Sequence, residues 1–465
     1  MLNIIWIWFD MKNQFRAKKF YFIGIGGIGM SGLAEILLRM GHKVSGSDRQ
    51  LSEVTEYLVK IGALIHEGHR AEQVKETDFV VYTAAVHENN PELQEAKKRR
   101  IPVMRRAELL GQLFNRKFGI AVAGTHGKTT TTSMIGQLLI STAMDPTIIV
   151  GGRLMNLRTN ARLGFGDLLV AEADEYDRSF LTMMPRIAVL TSLEMDHQDI
   201  YRDLDDLEQT FLQFTRQVAF DGVTILNDDD PNLQGIVDKI PGTVVRFSTE
   251  HTTDFSAGGI ECKNGVTHFE LFDRQGSQGI FYLNVPGKHN VKNALATIAV
   301  ARELQIPFEQ IRDALVQFKG VERRFQIIGE GKGIIIVDDY AHHPTEVEAT
   351  LESAKTGWPE RRIVAVFQPH LYSRTQSFHQ DFARVLSRAD LTVVTDVYPA
   401  RERPVPGVNG QLIVEGLTNE GYYVADKHRL ADFLLSRLHP NDMVLFLGAG
   451  DITNESKTLL KRITE

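Results

Sequence analysis

Strand-like apolar runs alternate with helical ones along almost the whole chain, and the alternation starts afresh three times. Alternation of this kind builds parallel sheets flanked by helices, so the fold class is α/β. The first start reads KKFYFIGI as a buried strand, Ser31 to Met40 as a helix, and HKVSGSD, DFVVYT and IPVM as further strands, the makings of a mononucleotide-binding half. The second, FGIAVAG at Phe118 to Gly124, leads into DLLVAEAD, RIAVLTSL and GVTILND. Between about Thr243 and Pro286 the segments VVRFS, HFELF and FYLNV alternate with period two around Asn264-Gly265 and Gln275-Gly276, which predicts a small antiparallel patch. Helices follow at His289 to Leu304 and Pro307 to Phe318. The third start, GIIIVDDYAHHP, is continued by RIVAVFQP, DLTVVTDVY and DMVLFLGAGD. No short period repeats within these units, which excludes a solenoid.

Composition narrows the partners. The 465 residues divide into about three domains of ~150, and 43% hydrophobic content gives each a core. Lys plus Arg number 52 against 59 Asp plus Glu, a formal charge of -7, so no basic field recruits nucleic acid or an anionic membrane. Small molecules are the expected partners. The lone Cys262 permits no intrachain disulfide or zinc site, as in a reducing compartment, and reads as a small buried side chain. The apolar run MLNIIWIWFDM at Met1 to Met11 is too short to span a bilayer and lacks a basic lead and a cleavage site. A cytoplasmic protein without membrane insertion is expected. Residues 1–17 are read as an extension, the first ten being an upstream start or a disordered segment; mass spectrometry of the native N-terminus decides between them.

Two glycine turns carry the chemistry. Gly24-Ile25-Gly26-Gly27-Ile28-Gly29 follows a strand, opens a helix and precedes Asp48 at the end of the next strand, satisfying GxGxxG. Such a turn lets backbone approach a pyrophosphate and offers it the free N–H groups of a helix start, so a UDP-sugar would satisfy it as well as NAD. The second turn, Gly124-Thr125-His126-Gly127-Lys128-Thr129-Thr130, is a phosphate loop one residue short of GxxxxGK[ST]. Its backbone N–H groups can cradle phosphates, Lys128 can reach the outer ones and the Thr129 hydroxyl is placed for Mg²⁺. One diphosphate site and one triphosphate site with metal point to an ATP-driven reaction on a nucleotide-linked substrate.

DLLVAEAD ends in Glu172 and Asp174, which strand alternation puts on one face, where a carboxylate can hold Mg²⁺. Glu175 and Asp177 read as a solvated acidic loop. His197 ends the next strand as a ligand or positioning group. Asn227 to Asp230 before Pro231 reads as a helix cap. His342-His343 without HExxH argue against zinc, and the absence of GxSxG argues against a serine hydrolase.

With these motifs assembled, the chain resembles the Mur ligases of bacterial cell-wall synthesis. The resemblance runs from about Lys18 to the C-terminus and is carried by FIGIGGIGMSGLAE, GTHGKTTTT, NARLGFGDLLVAEADEYDRSF, LEMDHQDIY, VPGKHNVKNALA, GVERRF, DDYAHHPTEV and FQPHLYSRT, in the family's order and at about its spacing. It implies three tandem domains: a Rossmann-like one at 18–109 for the UDP substrate, a P-loop ATPase-type α/β one at 110–325 for ATP, and a Rossmann-like one at 326–465 for the incoming amino acid. Gly24, Gly26, Gly27, Gly29 and Asp48 would form the UDP site, with Thr83 and Ala84 near its diphosphate. Lys128 would bind the terminal phosphates within the loop Gly124 to Thr130. Thr129 and Glu172 would hold a first Mg²⁺ and His197 a second metal, with Mn²⁺ an alternative ion. His289 and Asn293 match adenine contacts, and Arg323 or Arg324 a phosphate-binding arginine. Asp338, Tyr340, His342, His370 and Arg374 match the ATP and amino-acid side.

The implied reaction is ATP-dependent ligation of L-alanine to the carboxylate of UDP-N-acetylmuramate, in a monomer or weak homodimer. ATP phosphorylates the carboxylate, the amine attacks the acyl phosphate, and phosphate leaves through a tetrahedral intermediate. Lys128, the arginine and Mg²⁺ would stabilise the charge that builds up. The sequence departs from its relatives at Leu371, where some carry arginine, and at Tyr176 and Met195, where small residues are common. No lysine near His197 matches the carbamylated lysine of other members. A ligase that recycles a preformed tripeptide is the competing reading, which GIGGIGMSGLAE disfavours. An NAD-dependent oxidoreductase leaves Lys128 unexplained, and a non-catalytic nucleotide switch leaves the His and Arg clusters of the third domain unexplained.

Overall fold

A computed structural model describes residues 17–154, 159–197, 200–400 and 402–465. The reading of the first ten residues as an upstream start or disordered segment therefore lies outside the described residues. Contacts divide the chain into two units. One takes the described residues up to Arg153, those from 159 to Leu226, and Asp230–Val245; the other takes Asn227–Asp229 and Arg246–Glu465.

The first unit opens with a wholly parallel sheet of β1 (Lys19–Ile23), β2 (Lys43–Asp48), β3 (Leu64–Glu67), β4 (Phe79–Tyr82) and β5 (Val103–Arg105), in the order β3-β2-β1-β4-β5. Strand β1 is central, and its residues alternate between two apolar clusters: Phe20 and Phe22 on one face, Tyr21 and Ile23 on the other. That two-sided burial is why KFYFI reads as a continuous apolar run. The order reverses beside β1, the switch point at which open α/β sheets bind ligands. The helix expected at Ser31 to Met40 runs Ile28–Arg39, starting three residues earlier because Gly27 supplies the extended N-cap. LIHE of β3 was not expected; it is a half-exposed edge strand with little apolar signal.

The same unit continues with β6 (Phe118–Ala123), β7 (Thr147–Leu154), β8 (Thr159–Arg162), β9 (Leu168–Glu172), β10 (Ile187–Leu190), β11 (Val223–Asn227) and the start of β12 (Thr243–Ser248). Their order is β12-β11-β10-β6-β9-β7-β8. Strands β9 and β10 flank β6 in parallel register, so the carboxyl ends of all three lie together around the phosphate loop.

In the second unit β13 (Phe255–Lys263), β14 (Val266–Asp273) and β15 (Gly276–Leu283) form the expected antiparallel patch. The first hairpin turns at Asn264-Gly265, both with positive φ. The second turns at Arg274-Gln275 rather than Gln275-Gly276, because Gly276 already pairs with Asp273. Cys262 is half-buried on β13 rather than fully inside. A six-stranded sheet follows, built from β16 (Gln326–Gly331), β17 (Ile334–Asp339), β18 (Arg362–Phe367), β19 (Leu391–Val394), β20 (Glu420–Tyr423) and β21 (Asp442–Leu447), in the order β16-β17-β21-β18-β19-β20. Only β16 runs antiparallel to its neighbour. Alternate residues of β17, β18 and β21 feed two cores, Val337, Phe367 and Leu445 on one face and Ile336, Val366 and Phe446 on the other.

Candidate active site

The phosphate loop is a strand-to-helix turn that only glycine permits at its start. Gly124 has φ +136, and a Cβ there would lie 2.1 Å from Thr191 Oγ1. Helix Lys128–Ser141 begins after Gly127, at φ +81, with no side-chain cap, so its first N–H groups keep their capacity for an anion. The segment that follows β10 stitches the loop in place. The His126 N–H donates to Ser192 Oγ (2.9 Å), Thr125 Oγ1 donates to the Glu194 carbonyl (3.0 Å), and His126 Nε2 meets the Glu194 carboxylate at 2.9 Å. Thr130 lies in the first turn of the helix.

Lys128 points back into this turn. Its Nζ donates to the Gly124 carbonyl and to both carboxylate oxygens of Glu175, at 2.9 and 2.8 Å. Glu175 is therefore not part of a solvated loop: it is buried and ion-paired to the loop lysine. Tyr201 anchors it by donating its hydroxyl to the Glu175 carbonyl. Asp177 is half-buried and paired with Arg105 at 2.9 Å. Burial lowers the affinity of Lys128 for its proton, but Glu175 and Asp174 more than offset this and raise its pKa.

Glu172 ends β9 beside the loop. Its Oε1 accepts from Gly151 N–H (2.8 Å), and it shares a hydrogen bond with Thr129. Burial raises its pKa against those bonds and the charge of Lys128. Hydroxyl and carboxylate are the hard oxygen donors that Mg²⁺ takes, so Thr129 and Glu172 fit that ion. His197, in a left-handed backbone conformation at φ +55, has Nε2 3.8 Å from Glu175 and 3.9 Å from Asp196.

The glycine turn of the first sheet has matching features. The helix Ile28–Arg39 starts at Gly27 without a side-chain cap, and Gly26 N–H donates to Asp48 Oδ2 at 2.8 Å. Thr83, after β4, lies against Gly24, and Ala84 follows in the next turn. One residue was not singled out by the sequence. Arg106 packs on Gly29, where a Cβ would stand 3.1 Å from the guanidinium, and its Nη2 lies 3.6 Å from Asp174. It follows a short strand with no motif around it, so nothing in the sequence marked it.

In the second unit Arg323, Arg324, Tyr340, His342 and His370 come together. Both guanidinium groups lie over the Tyr340 ring at 5.0 and 5.3 Å, and the His342 ring is 5.2 Å from Tyr340 and 5.7 Å from His370. The two arginines differ in their bonds. Arg323 donates to the carbonyls of Gly448 (2.6 Å) and Gly450 (3.1 Å), whereas Arg324 faces Glu346 at 3.3 Å. Asp338 is buried and accepts from Thr453 at 2.6 Å. Arg374 is buried in the first turn of helix Tyr372–Leu386, whose N-cap Leu371 has φ +69. Asn293 is buried on helix Lys288–Glu303 and donates to Asn290 at 3.2 Å. Burial, then the charges of Arg324 and Lys292, push His289 down to about 4, so its imidazole is neutral at pH 7.

Two uncapped glycine-led helix starts, one with a half-buried lysine and a hydroxyl–carboxylate pair, define a nucleotide-using enzyme of the α/β class. Comparison with known proteins gives the family. Residues 19–118 match the Mur ligase family catalytic domain, 122–301 the Mur ligase middle domain and 323–450 the Mur ligase glutamate ligase domain, so the chain belongs to the Mur ligase family. It is 49% identical over 451 residues to the UDP-N-acetylmuramate--L-alanine ligase of Salinibacter ruber, covering 96% of this chain and 95% of that one. The enzyme of the same name from Geobacter sulfurreducens is 46% identical, covering 97% and 98%. Among solved structures, the UDP-N-acetylmuramate-alanine ligase MurC of Thermotoga maritima superposes with a TM-score of 0.83 at 31% identity, over 96% of this chain and 99% of that one. A murein peptide ligase from Psychrobacter arcticus shares the fold, with a TM-score of 0.72 at 24% identity.

Proposed function

We propose that this chain joins L-alanine to the carboxylate of UDP-N-acetylmuramate, cleaving ATP to ADP and phosphate, as a step of peptidoglycan biosynthesis in the cytoplasm. The observation that carries the reading is the pairing of two anion-binding turns, only one of which has a lysine and hard-donor side chains, in a chain with near-full-length similarity to relatives of that name. Among the described residues no helix is long and apolar enough to cross a membrane. In this reading the domains are 18–109, 110–325 and 326–465, and the enzyme acts as a monomer or weak homodimer.

A carboxylate is a poor electrophile, and phosphorylation supplies a leaving group. Lys128 binds and orients the terminal phosphates by exchanging Glu175 for them, and the uncapped helix start holds the phosphate oxygens. Thr129 and Glu172 would hold a first Mg²⁺ and His197 a second metal, which supply charge neutralisation on the transferred phosphoryl group. In the second unit the neutral His289 and Asn293 take the uncharged adenine. Arg324 is the phosphate arginine, since Arg323 is committed to backbone carbonyls. Asp338, Tyr340, His342, His370 and Arg374 serve the ATP and amino-acid side. One carboxylate oxygen bonds to the terminal phosphorus as its bond to ADP breaks; the amine then attacks the carbonyl carbon, the C–O bond to the phosphoryl group breaks, and phosphate departs carrying that oxygen.

The test is ADP release with UDP-N-acetylmuramate and either L-alanine or a murein tripeptide. Turnover with L-alanine is expected; faster turnover with tripeptide would replace this reading by the recycling one.

A further inference from the structure

Beneath the glycine turn lies a polar cluster that the reaction above does not use. Glu92, in the first turn of helix Pro91–Lys98, has 0% exposure, yet it accepts from three side chains. Tyr21 donates from β1 to Oε1 at 2.6 Å, Ser47 donates from β2 to Oε2 at 2.7 Å, and His69 Nδ1 lies 2.9 Å from Oε2. The same Nδ1 is 2.9 Å from Ser47 Oγ. A buried carboxylate is costly unless hydrogen-bonded throughout, so a cluster of this kind holds its members in one geometry.

Its members reach the glycine turn directly. The Ser47 carbonyl accepts from the N–H groups of Gly24 (2.9 Å) and Ile25 (3.0 Å), and Ser47 is followed by Asp48, which binds Gly26. Gly68, before His69, donates its N–H to the Asp48 carbonyl at 2.7 Å. His69 thus stands at the carboxyl ends of β2 and β3, on the ligand side of the sheet, with its side chain 20% exposed. Because Nδ1 faces Ser47 and Glu92, Nε2 is on the opposite edge of the ring, turned away from the buried carboxylate.

We propose that Glu92 is a positioning residue of the UDP-substrate site: it fixes Ser47, and with it the glycine turn, and it orients His69 so that Nε2 is presented to the substrate's diphosphate. The inference rests on the diphosphate reading of Gly24 to Gly29. A carboxylate behind an imidazole fixes its tautomer and ring orientation, and loss of such a partner typically costs about 10–100-fold in affinity or activity in metal sites where it has been measured.

The test is calorimetric titration of the full chain with UDP-N-acetylmuramate, without ATP, alongside steady-state kinetics. Glu92→Gln is expected to weaken binding and raise KM for the UDP substrate about tenfold, with kcat and nucleotide affinity within twofold of wild type. Glu92→Gln added to His69→Ala is expected to weaken binding less than it does alone. Should Glu92→Gln fail to fold, Ser47→Ala and His69→Gln, which keep the carboxylate, carry the same expectation of higher KM at unchanged kcat. Unchanged UDP-substrate affinity in the folded variants, or a fall in kcat at constant KM, overturns the proposal while leaving the diphosphate reading intact. Failure of the wild type to bind UDP-N-acetylmuramate overturns both.

Discussion

In the proposed nucleotide site the central side chain is Lys128, and its geometry gives two expectations. Its ammonium is held by a carboxylate that a polyphosphate can replace without leaving it unpaired. Lys128→Ala removes the charge aimed at the transferred group, and loss of one such donor costs on the order of 10²–10³ in rate. Ligation should fall at least that far while calorimetric binding of UDP-N-acetylmuramate persists; near-normal ligation would refute the assignment. Glu175→Gln acts in the other direction on nucleotide binding. It weakens the partner that a phosphate must displace, so ADP should raise the variant's Tm by more than it raises the wild type's. An equal or smaller increment would show that Glu175 does not compete for Lys128.

Strands and helices determine which neighbouring residues share a task. Arg323 and Arg324 are adjacent, yet the chain passes through a left-handed residue at Arg323, φ +58, and their side chains take different partners. Arg323→Ala loses charge-assisted bonds to Gly448 and Gly450 worth about 1.5–3 kcal/mol each and should chiefly lower Tm. Arg324→Ala should chiefly lower kcat/KM for ATP. The reverse pattern, read by thermal melts and ATP kinetics, would exchange their roles. Helix Lys288–Glu303 carries a pH signature. His289 titrates near 4 in the folded chain against an ordinary 6.5, so the unfolded chain binds the extra proton between those values. Its contribution therefore destabilises the fold as pH drops from 6.5 towards 4, by on the order of 3 kcal/mol at the low end. Asp339, raised by burial to about 6, works in the opposite sense, losing stability as pH rises from 3.8 to 6. The expectation is thus a difference: His289→Gln should lose less stability than wild type between pH 6.5 and 4, and identical pH profiles of Tm would contradict it.

The sequence made the buried parallel strands, both glycine turns and the hairpin at Asn264-Gly265 legible, because burial on two faces and positive φ leave strong marks in residue type. Edge strands β3 and β16 left little mark, being short or half-exposed. The placement of Lys128 in its turn and of Thr129 beside Glu172 was readable from the loop pattern. Glu175 was misread as solvated because its burial depends on Lys128 and Tyr201, far away in the chain, and Arg106 and Glu92 carry no motif at all. A side chain whose meaning comes from a partner 47 positions away, as Glu175's does, is invisible to local pattern.

Across the molecule the chemistry is divided. The first unit contains the glycine turn, the phosphate loop and the hydroxyl–carboxylate pair; the second contains the neutral histidine and the two arginines beside Tyr340. Near-full-length similarity to ligases that act on UDP-N-acetylmuramate and L-alanine accounts for both sets together. The central claim is that nucleotide cleavage activates the sugar's carboxylate as an acyl phosphate. It is tested most directly by supplying UDP-N-acetylmuramate with both carboxylate oxygens labelled by oxygen-18, together with unlabelled ATP and L-alanine, and analysing the released phosphate by mass spectrometry. The account predicts that one labelled oxygen appears in each phosphate and the other stays in the new amide. Phosphate free of label would contradict it.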